Sequence, residues 1–189
     1  AGPSDKPGGR RARDIMKLRL SVWRRALPIA IFVIVYCVLY ALLYLARGGP
    51  VERLVIHEAT VAPAAGIART IDPAYGAHAV VNRIESARGN LVVQSGCEGT
   101  EPLFLLWAAI AAVPAGRGAK MRALAWGSLL IYTANQARLV TLFFASVHHR
   151  SLFALLHGYV APVFLVLLVA IYFLHWTAVA GEAIHEPTA

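Results

Sequence analysis

The fold of this chain is decided by residues 26–46, ALPIAIFVIVYCVLYALLYLA, a run of 21 residues without a charge. At about 1.5 Å per residue, a helix of this length spans roughly 30 Å, the thickness of bilayer hydrocarbon. The apolar region of a secretory signal is shorter, about 7–15 residues, and the Arg47-Gly48-Gly49-Pro50 that follows is not a small-residue cleavage site. We therefore predict an uncleaved first transmembrane helix at 26–46.

A cluster of positive charge precedes this run. The chain has 18 Lys and Arg residues and a net charge of +8, and eight of these residues lie within residues 1–25: Lys6, Arg10, Arg11, Arg13, Lys17, Arg19, Arg24 and Arg25. Basic residues directly before an apolar span are typical of a cytoplasmic anchor against anionic lipid. No nucleic-acid motif accompanies the charge, so the predicted partner of the tail 1–25 is the lipid bilayer and not nucleic acid.

The rest of the composition also indicates a membrane bundle. Hydrophobic residues make up 58% of the chain and charged residues 15%, with a mean hydropathy of +0.60. These values exclude a disordered chain and argue against a soluble enzyme, and two cysteines are too few for a disulfide scaffold. Further apolar runs at about 101–115, 123–147 and 152–176, with a polar tail at 177–189, predict an all-α membrane protein of about four transmembrane helices.

The segment 47–96 interrupts the apolar pattern and is predicted to lie outside the cytoplasm. Residues 51–71 mix apolar and charged positions, which predicts an interfacial amphipathic helix that is bent or broken at Pro63. Two short β-rich runs, HAVVNRIES and LVVQSG, surround an Arg88-Gly89-Asn90 turn and predict a small β-hairpin. The helix and the hairpin are expected to form a roof over a cleft.

The charge of the short connections sets the predicted topology. The connection at 116–122 contains three basic residues and the one at 148–151 contains one, so the first faces the cytoplasm together with both termini. The core at 97–176 then has Cys97, Arg138 and His157 at a similar depth near the outer face. The predicted topology therefore places this site on the side of the membrane away from the cytoplasm.

Arg138 and Cys97 are the first two candidates for chemistry. An arginine within a span is costly unless it is paired or hydrated, so Arg138 is a functional candidate; a structural ion pair with Glu98 or Glu101, or snorkelling, is the alternative. Cys97 stands between Gly96 and Glu98-Gly99, and a helix beginning there would favour the reactive thiolate. Cys37, by contrast, lies in mid-span, where a thiol is inert and too deep to pair with Cys97.

His157 is the third candidate, with His148 and His149 as nearby alternatives. The spacing of a Cys/His zinc site is absent, so we predict no metal and no cofactor. A cysteine thiolate can attack a carbonyl, and a histidine can act as its proton partner. Arginine cannot act as a base and would instead hold the thiolate or the developing oxyanion, with Asn135, Glu98 and Glu101 as supporting residues.

Three ordered motifs make the chain resemble the exosortase/archaeosortase family of membrane cysteine transpeptidases. They are GNLVVQSGCEG before a span, ANQARL within the next and LLHGYVAP opening the last, and the resemblance covers about residues 26–176. It implies Cys97 as nucleophile with Arg138 and His157 as its partners, in a compact form similar to exosortase H. The chain departs from many members of the family in the Glu98 that follows the cysteine, where they have a serine, and in the Gly158-Tyr159 that follows the histidine.

The resemblance also implies a protein-sorting reaction in a bacterial inner membrane, with the site of this multi-pass protein facing the periplasm or exterior. Members of the family cleave exported proteins near a C-terminal signal, composed of a short motif, a transmembrane helix and a basic tail. They are thought to transfer the new carboxyl end to a cell-surface acceptor. Two other functions fit the same residues: a membrane cysteine protease that uses water as acceptor, and a non-catalytic scaffold for envelope polymer export. A channel is a weaker alternative, because one intramembrane arginine gives little pore lining.

Overall fold

The computed structural model describes residues 7–93 and 96–185 of the chain. Lys6, Gln94, Ser95 and residues 186–189 lie outside the described residues, as do the side chains of the other seven basic residues of the predicted tail. The fold is mostly helical with one small antiparallel sheet, so the predicted helical class is confirmed.

Two helices are long and apolar enough to cross a membrane. The first, α1 (Pro7–Leu45), contains the apolar stretch Ala26–Leu45 with a mean hydropathy of 2.7. The second stretch, Arg150–Ala180, has a mean hydropathy of 2.3; it combines α6 (Arg150–Leu155), a second π segment (Leu156–Val160) and most of α7 (Ala161–His185). None of the first stretch is buried within the protein, and only Leu165 and Val169 are buried in the second. Apolar faces left exposed on this scale favour membrane association.

Two further helices complete the bundle. α4 (Thr100–Ala112) is short and apolar, and α5 (Arg117–His148) is the longest helix after α1. The predicted basic loop at 116–122 is therefore largely helical, since Arg117, Lys120 and Arg122 occupy the first turns of α5. Lys120 Nζ donates to the carbonyl of Ala111 at 2.8 Å, a cation placed at the C-terminal end of α4 where unpaired carbonyls concentrate.

The amphipathic segment does not break at Pro63. It runs as α2 (Pro50–Arg53), a first π segment (Leu54–Val61) and α3 (Ala62–Ile71). Proline has no N–H to donate and collides with the carbonyl four residues earlier, here that of Ala59. The widened π turn relieves this collision, and the Ala59 carbonyl accepts instead from Gln136 Nε2 of α5 at 3.3 Å. Pro162 likewise follows the second π segment by two residues.

The predicted hairpin is part of a three-stranded sheet. β1 (His78–Val80), β2 (Arg83–Ser86) and β3 (Gly89–Val92) pair antiparallel in sequence order, so the run HAVVNRIES is two strands joined by a turn at Val81-Asn82. Ile84 and Leu91 face each other across β2 and β3, and both are buried. They join α3 and the C-terminal half of α5 in one hydrophobic core. The sheet and α3 are thus packed parts of the fold.

A second core, the lower core, lies apart from the sheet and holds the helical bundle together. It consists of buried residues of α4, α5 and α7: Leu106, Ile110, Ala123, Ile131 and Val169. Gly127 of α5 lies where the three helices meet, since a Cβ there would be 2.5 Å from Leu106 Cδ2 and 2.7 Å from Tyr172 Cε1. The Tyr172 hydroxyl also donates to the Ala123 carbonyl at 2.8 Å. The position of α5 between these helices fixes where Arg138 lies.

Candidate active site

Cys97 lies on a tight turn just before α4. Gly96 and Gly99 on either side have φ of +95° and +84°, a left-handed backbone that favours glycine. The Glu98 carboxylate closes the turn by accepting from the Gly96 N–H and from the Thr100 hydroxyl. α4 begins only at Thr100, so Cys97 lies three residues before the helix and does not begin it as predicted.

The positive charge next to the thiol comes from Arg138. Its Nη2 lies 3.8 Å from Cys97 Sγ, and its Nη1 lies 3.5 Å from Asn135 Oδ1 one turn earlier on α5. Among the described residues, Arg138 forms no ion pair with Glu98 or Glu101, the structural alternative considered for it. The guanidinium is partly buried, and its Nε has no hydrogen-bond partner within the described part of the chain. The positive charge of Arg138 is therefore not neutralised by either glutamate and lies beside the Cys97 sulfur.

Asn135 connects this arginine to the cysteine turn. Its side chain is 2% exposed, and its Nδ2 donates to the Glu98 carbonyl at 3.0 Å. A Cβ on Gly99 would lie 2.7 Å from Asn135 Cγ, so glycine is needed there for space as well as for its φ. Asn135 thus positions the turn and the guanidinium together, whereas Glu98 acts within the turn itself.

His157 approaches the same space from the second π segment. Its ring stacks on Phe153, with centroids 5.4 Å apart and planes 7° apart. Its Nδ1 is buried and has no hydrogen-bond partner among the described residues. The alternative histidines are placed elsewhere. His148 Nδ1 donates to the Phe144 carbonyl, so its Nε2 accepts from the Tyr75 hydroxyl at 2.7 Å, beside the core of α3, the sheet and α5. His149 occupies the N-cap position of α6, without a capping hydrogen bond from its side chain. His157 is therefore the histidine that the fold brings towards Cys97.

One cavity of about 370 Å³ contains all three predicted residues. Cys97, Arg138 and His157 line it together with Glu101 and Tyr36, and the other lining residues are Gly96, Pro102, Leu105, Pro162, Leu165 and Val166. Nothing in the sequence marks Tyr36, because a tyrosine in an apolar run is common in a membrane helix. Its place in the cavity follows from the packing of α1 on α4.

The cavity brings together the parts needed for nucleophilic chemistry. It has a thiol, a permanent positive charge within 4 Å of the sulfur and an imidazole, in mostly apolar surroundings that strengthen electrostatic interactions. Among the residues described, no three His, Cys, Asp or Glu side chains are grouped closely enough to bind a metal ion. No protein-family model, curated protein or solved structure matches this chain.

Proposed function

We propose that this chain is a membrane-embedded cysteine transpeptidase, similar to the exosortases and archaeosortases, that cleaves the C-terminal sorting signals of exported proteins. One observation carries the proposal. Arg138 Nη2 lies 3.8 Å from Cys97 Sγ, in a cavity that His157 also lines. These residues come from three separate elements and from the three motifs on which the resemblance rests. Their convergence supports a shared role more strongly than any one of the motifs.

The proposed reaction begins with attack of the Cys97 thiolate on a peptide carbonyl. The C–S bond forms while the carbonyl π electrons move onto oxygen, giving a tetrahedral intermediate. Its collapse breaks the C–N bond, and His157, which has taken the proton of the Cys97 thiol, gives that proton to the departing amine. A thioester remains on Cys97. An acceptor amine or water then attacks its carbonyl and loses a proton to His157, and the C–S bond breaks to release the new carboxyl end. Arg138 stabilises the thiolate before it attacks and again when it leaves, since a guanidinium keeps its charge and does not transfer protons.

The proposed membrane arrangement has four spans, α1, α4, α5 and the α6–α7 stretch. α4 contains 13 residues and is about 20 Å long, too short to span about 30 Å of hydrocarbon by itself. A start within the outer half of the bilayer accounts for this length. Tyr36 lines the cavity nine residues before the end of α1 at Leu45, which sets the cavity roughly 13 Å below that end.

This depth suits a substrate that is itself anchored by a helix. A substrate helix in the same bilayer would present its motif at the level of Cys97, and shared anchoring lowers the entropic cost of orientation. The basic first turns of α5 and the basic N-terminal segment lie on the cytoplasmic side in this arrangement. The cavity then faces the periplasm or exterior of a bacterial inner membrane, where exported proteins and a cell-surface acceptor meet.

The proposal is tested by co-expression with a candidate substrate that ends in a short motif, a transmembrane helix and a basic tail. We expect the substrate to be processed by the native chain and to accumulate uncut with Cys97→Ala. Cys37→Ala is the matched control, because Cys37 is exposed on α1 and lies outside the cavity, and it should leave processing intact. Processing that survives Cys97→Ala would overturn the proposal and favour a scaffold.

The mass of the released substrate end separates the two possible acceptors. Transfer adds the mass of the acceptor to the new carboxyl end, whereas hydrolysis leaves a free carboxylate. A free carboxylate as the sole product would replace transpeptidation by membrane proteolysis, with the same thioester and the same three residues.

A further inference from the structure

Tyr36 is the part of the cavity that the proposed mechanism does not yet use. It lies on α1, on the first apolar stretch, and it is half-buried where α1 packs on α4. It lines the same cavity as Cys97, Arg138 and His157. A helix that looks like a simple anchor in the sequence therefore contributes a side chain to the site.

The chemistry requires a donor to the carbonyl oxygen in addition to the groups that act on the sulfur. An oxyanion forms on the carbonyl oxygen when the thiolate attacks, and it needs a hydrogen bond in a site of low polarity. Arg138 directs Nη2 at the sulfur and Nη1 at Asn135, and its unpartnered Nε belongs to the same cation that stabilises the thiolate. Apart from the three predicted residues and Glu101, the rest of the lining is apolar or glycine, except for Tyr36. Its phenol is the neutral hydroxyl donor within the described lining.

Resting on the proposed function, we infer that Tyr36 is a catalytic residue whose hydroxyl donates a hydrogen bond to the oxyanion of the tetrahedral intermediate. The phenol keeps its proton throughout, so the electron balance of the attack is unchanged. The C–S bond forms, the carbonyl π pair moves to oxygen, and the O–H of Tyr36 stabilises that charge until the pair returns and the leaving group departs. The donor acts on the carbonyl oxygen and not on the sulfur.

The ring is held in place for this role. Tyr36 stacks between Phe32 and Tyr40, one turn away on each side, with centroids 6.3 Å and 6.4 Å distant and planes within 20°. A ring fixed in such a row loses little conformational freedom when its hydroxyl binds a ligand. Tyr40 belongs to the same row but does not line the cavity with Cys97, which makes it a close control.

Two reactions of the same thiol separate this role from a structural one. Acetylation of Cys97 by p-nitrophenyl acetate passes through an oxyanion: the thiolate adds to the carbonyl, and p-nitrophenolate leaves. Alkylation by iodoacetamide is a direct displacement of iodide at carbon and forms no oxyanion. Both are followed by intact mass on the full chain in detergent, in a Cys37→Ala background so that Cys97 is the thiol observed.

We expect Tyr36→Phe to slow acetylation by about tenfold or more, and to change alkylation by less than about twofold. Tyr40→Phe should change neither rate, because it removes a hydroxyl from the same row but not from the cavity. Equal acetylation rates in Tyr36→Phe and the parent would overturn the inference. So would an equal slowing of both reactions, which would indicate a structural role for the ring.

The results that would contradict the proposed function differ from those that would contradict the role of Tyr36. If Cys97→Ala still processes the sorting substrate, the proposed sorting function is wrong, while the ratio of acetylation to alkylation still reports on Tyr36. If processing needs Cys97 but that ratio is the same in Tyr36→Phe and the parent, the transpeptidase proposal stands and the role of Tyr36 does not.

Discussion

The thiol and the guanidinium are the pair of groups on which the site depends. Arg138 Nη2 lies 3.8 Å from Cys97 Sγ, and an arginine remains charged at any physiological pH. A thiolate is the reactive form of cysteine, and a nearby fixed cation favours it. Arg138 supplies such a cation beside the sulfur, and Cys97 itself lies outside the first turn of α4.

Removal of this charge should slow the reaction of the Cys97 thiol with an electrophile. We predict that Arg138→Gln lowers the rate of iodoacetamide alkylation of Cys97 at pH 7 by roughly tenfold, because the positive charge 3.8 Å from the attacking sulfur is removed. Arg117→Gln, which removes an exposed charge at the far end of the same helix, should leave the rate unchanged. The rates are measured by intact mass in the Cys37→Ala background. An Arg138→Gln rate equal to that of the parent would mean that the guanidinium does not act on the sulfur.

At the scale of elements, short irregular segments place the reactive side chains. The turn before α4 presents Cys97, and the second π segment presents His157. Both depend on residues with special backbone properties, the two glycines of the turn and the proline that follows the π segment. Asn135 joins the turn to α5 by its bond to the Glu98 carbonyl, so the turn cannot shift without disturbing Arg138.

This close approach predicts an unequal response of two glycines. Gly99→Ala introduces a Cβ 2.7 Å from buried Asn135, in addition to the strain of a positive φ. Gly76→Ala also has a positive φ, +60°, but meets open space. Thermal unfolding in detergent should show that Gly99→Ala costs about 1–3 kcal/mol more than Gly76→Ala. Gly99→Ala should also slow Cys97 alkylation, whereas Gly76→Ala should not. Equal effects of the two changes would mean that the close contact between Asn135 and the turn does not constrain residue 99.

At the scale of the whole molecule, two separate hydrophobic cores hold the elements of the site in place. The upper core joins α3, the sheet and the end of α5, and the lower core joins α4, α5 and α7. The cavity is lined from α1, the turn before α4, α4 itself, α5, the second π segment and α7, so it exists only when these elements are packed together. Deletion of residues 78–94 would also remove Ile84 and Leu91 from the upper core, so its effect on processing would not isolate a roof.

The meeting point of α4, α5 and α7 should be intolerant of added volume. Gly127→Ala places a Cβ within 2.5 Å of Leu106 and 2.7 Å of Tyr172, so we predict a loss of about 1–3 kcal/mol in thermal unfolding. Gly118→Ala on the same helix meets open space and should stabilise by up to about 1 kcal/mol through helix propensity. Leu106→Ala combined with Gly127→Ala should cost less than the sum of the two single changes, because the smaller side chain removes one of the two clashes. A neutral Gly127→Ala would show that the three helices are less tightly packed than their contacts indicate.

Much of the fold can be predicted from sequence because hydropathy and turn chemistry are local properties. The 26–46 run predicts an apolar helix without reference to any other residue, and the Arg88-Gly89 turn predicts a hairpin from its neighbours alone. Cys97, Arg138 and His157 could be named because a thiol between glycines, an arginine within an apolar run and a histidine near the start of another are chemically unusual where they occur. The π segments could not be predicted, since a proline in a helical pattern indicates a bend, a break or a widened turn equally well.

The remaining features depend on contacts between residues that are far apart in the chain. The sequence allows Arg138 to pair with Glu98 or Glu101. In the folded chain, packing places its Nη2 beside the sulfur of Cys97 instead. His157, rather than His148, lines the cavity because the Tyr75 hydroxyl engages His148 in the upper core. Tyr36 lines the cavity because α1 packs on α4, and no local sequence pattern predicts that contact. Burial and proximity arise from the packing of helices, so the sequence names the reactive groups, whereas the folded bundle selects which of them meet.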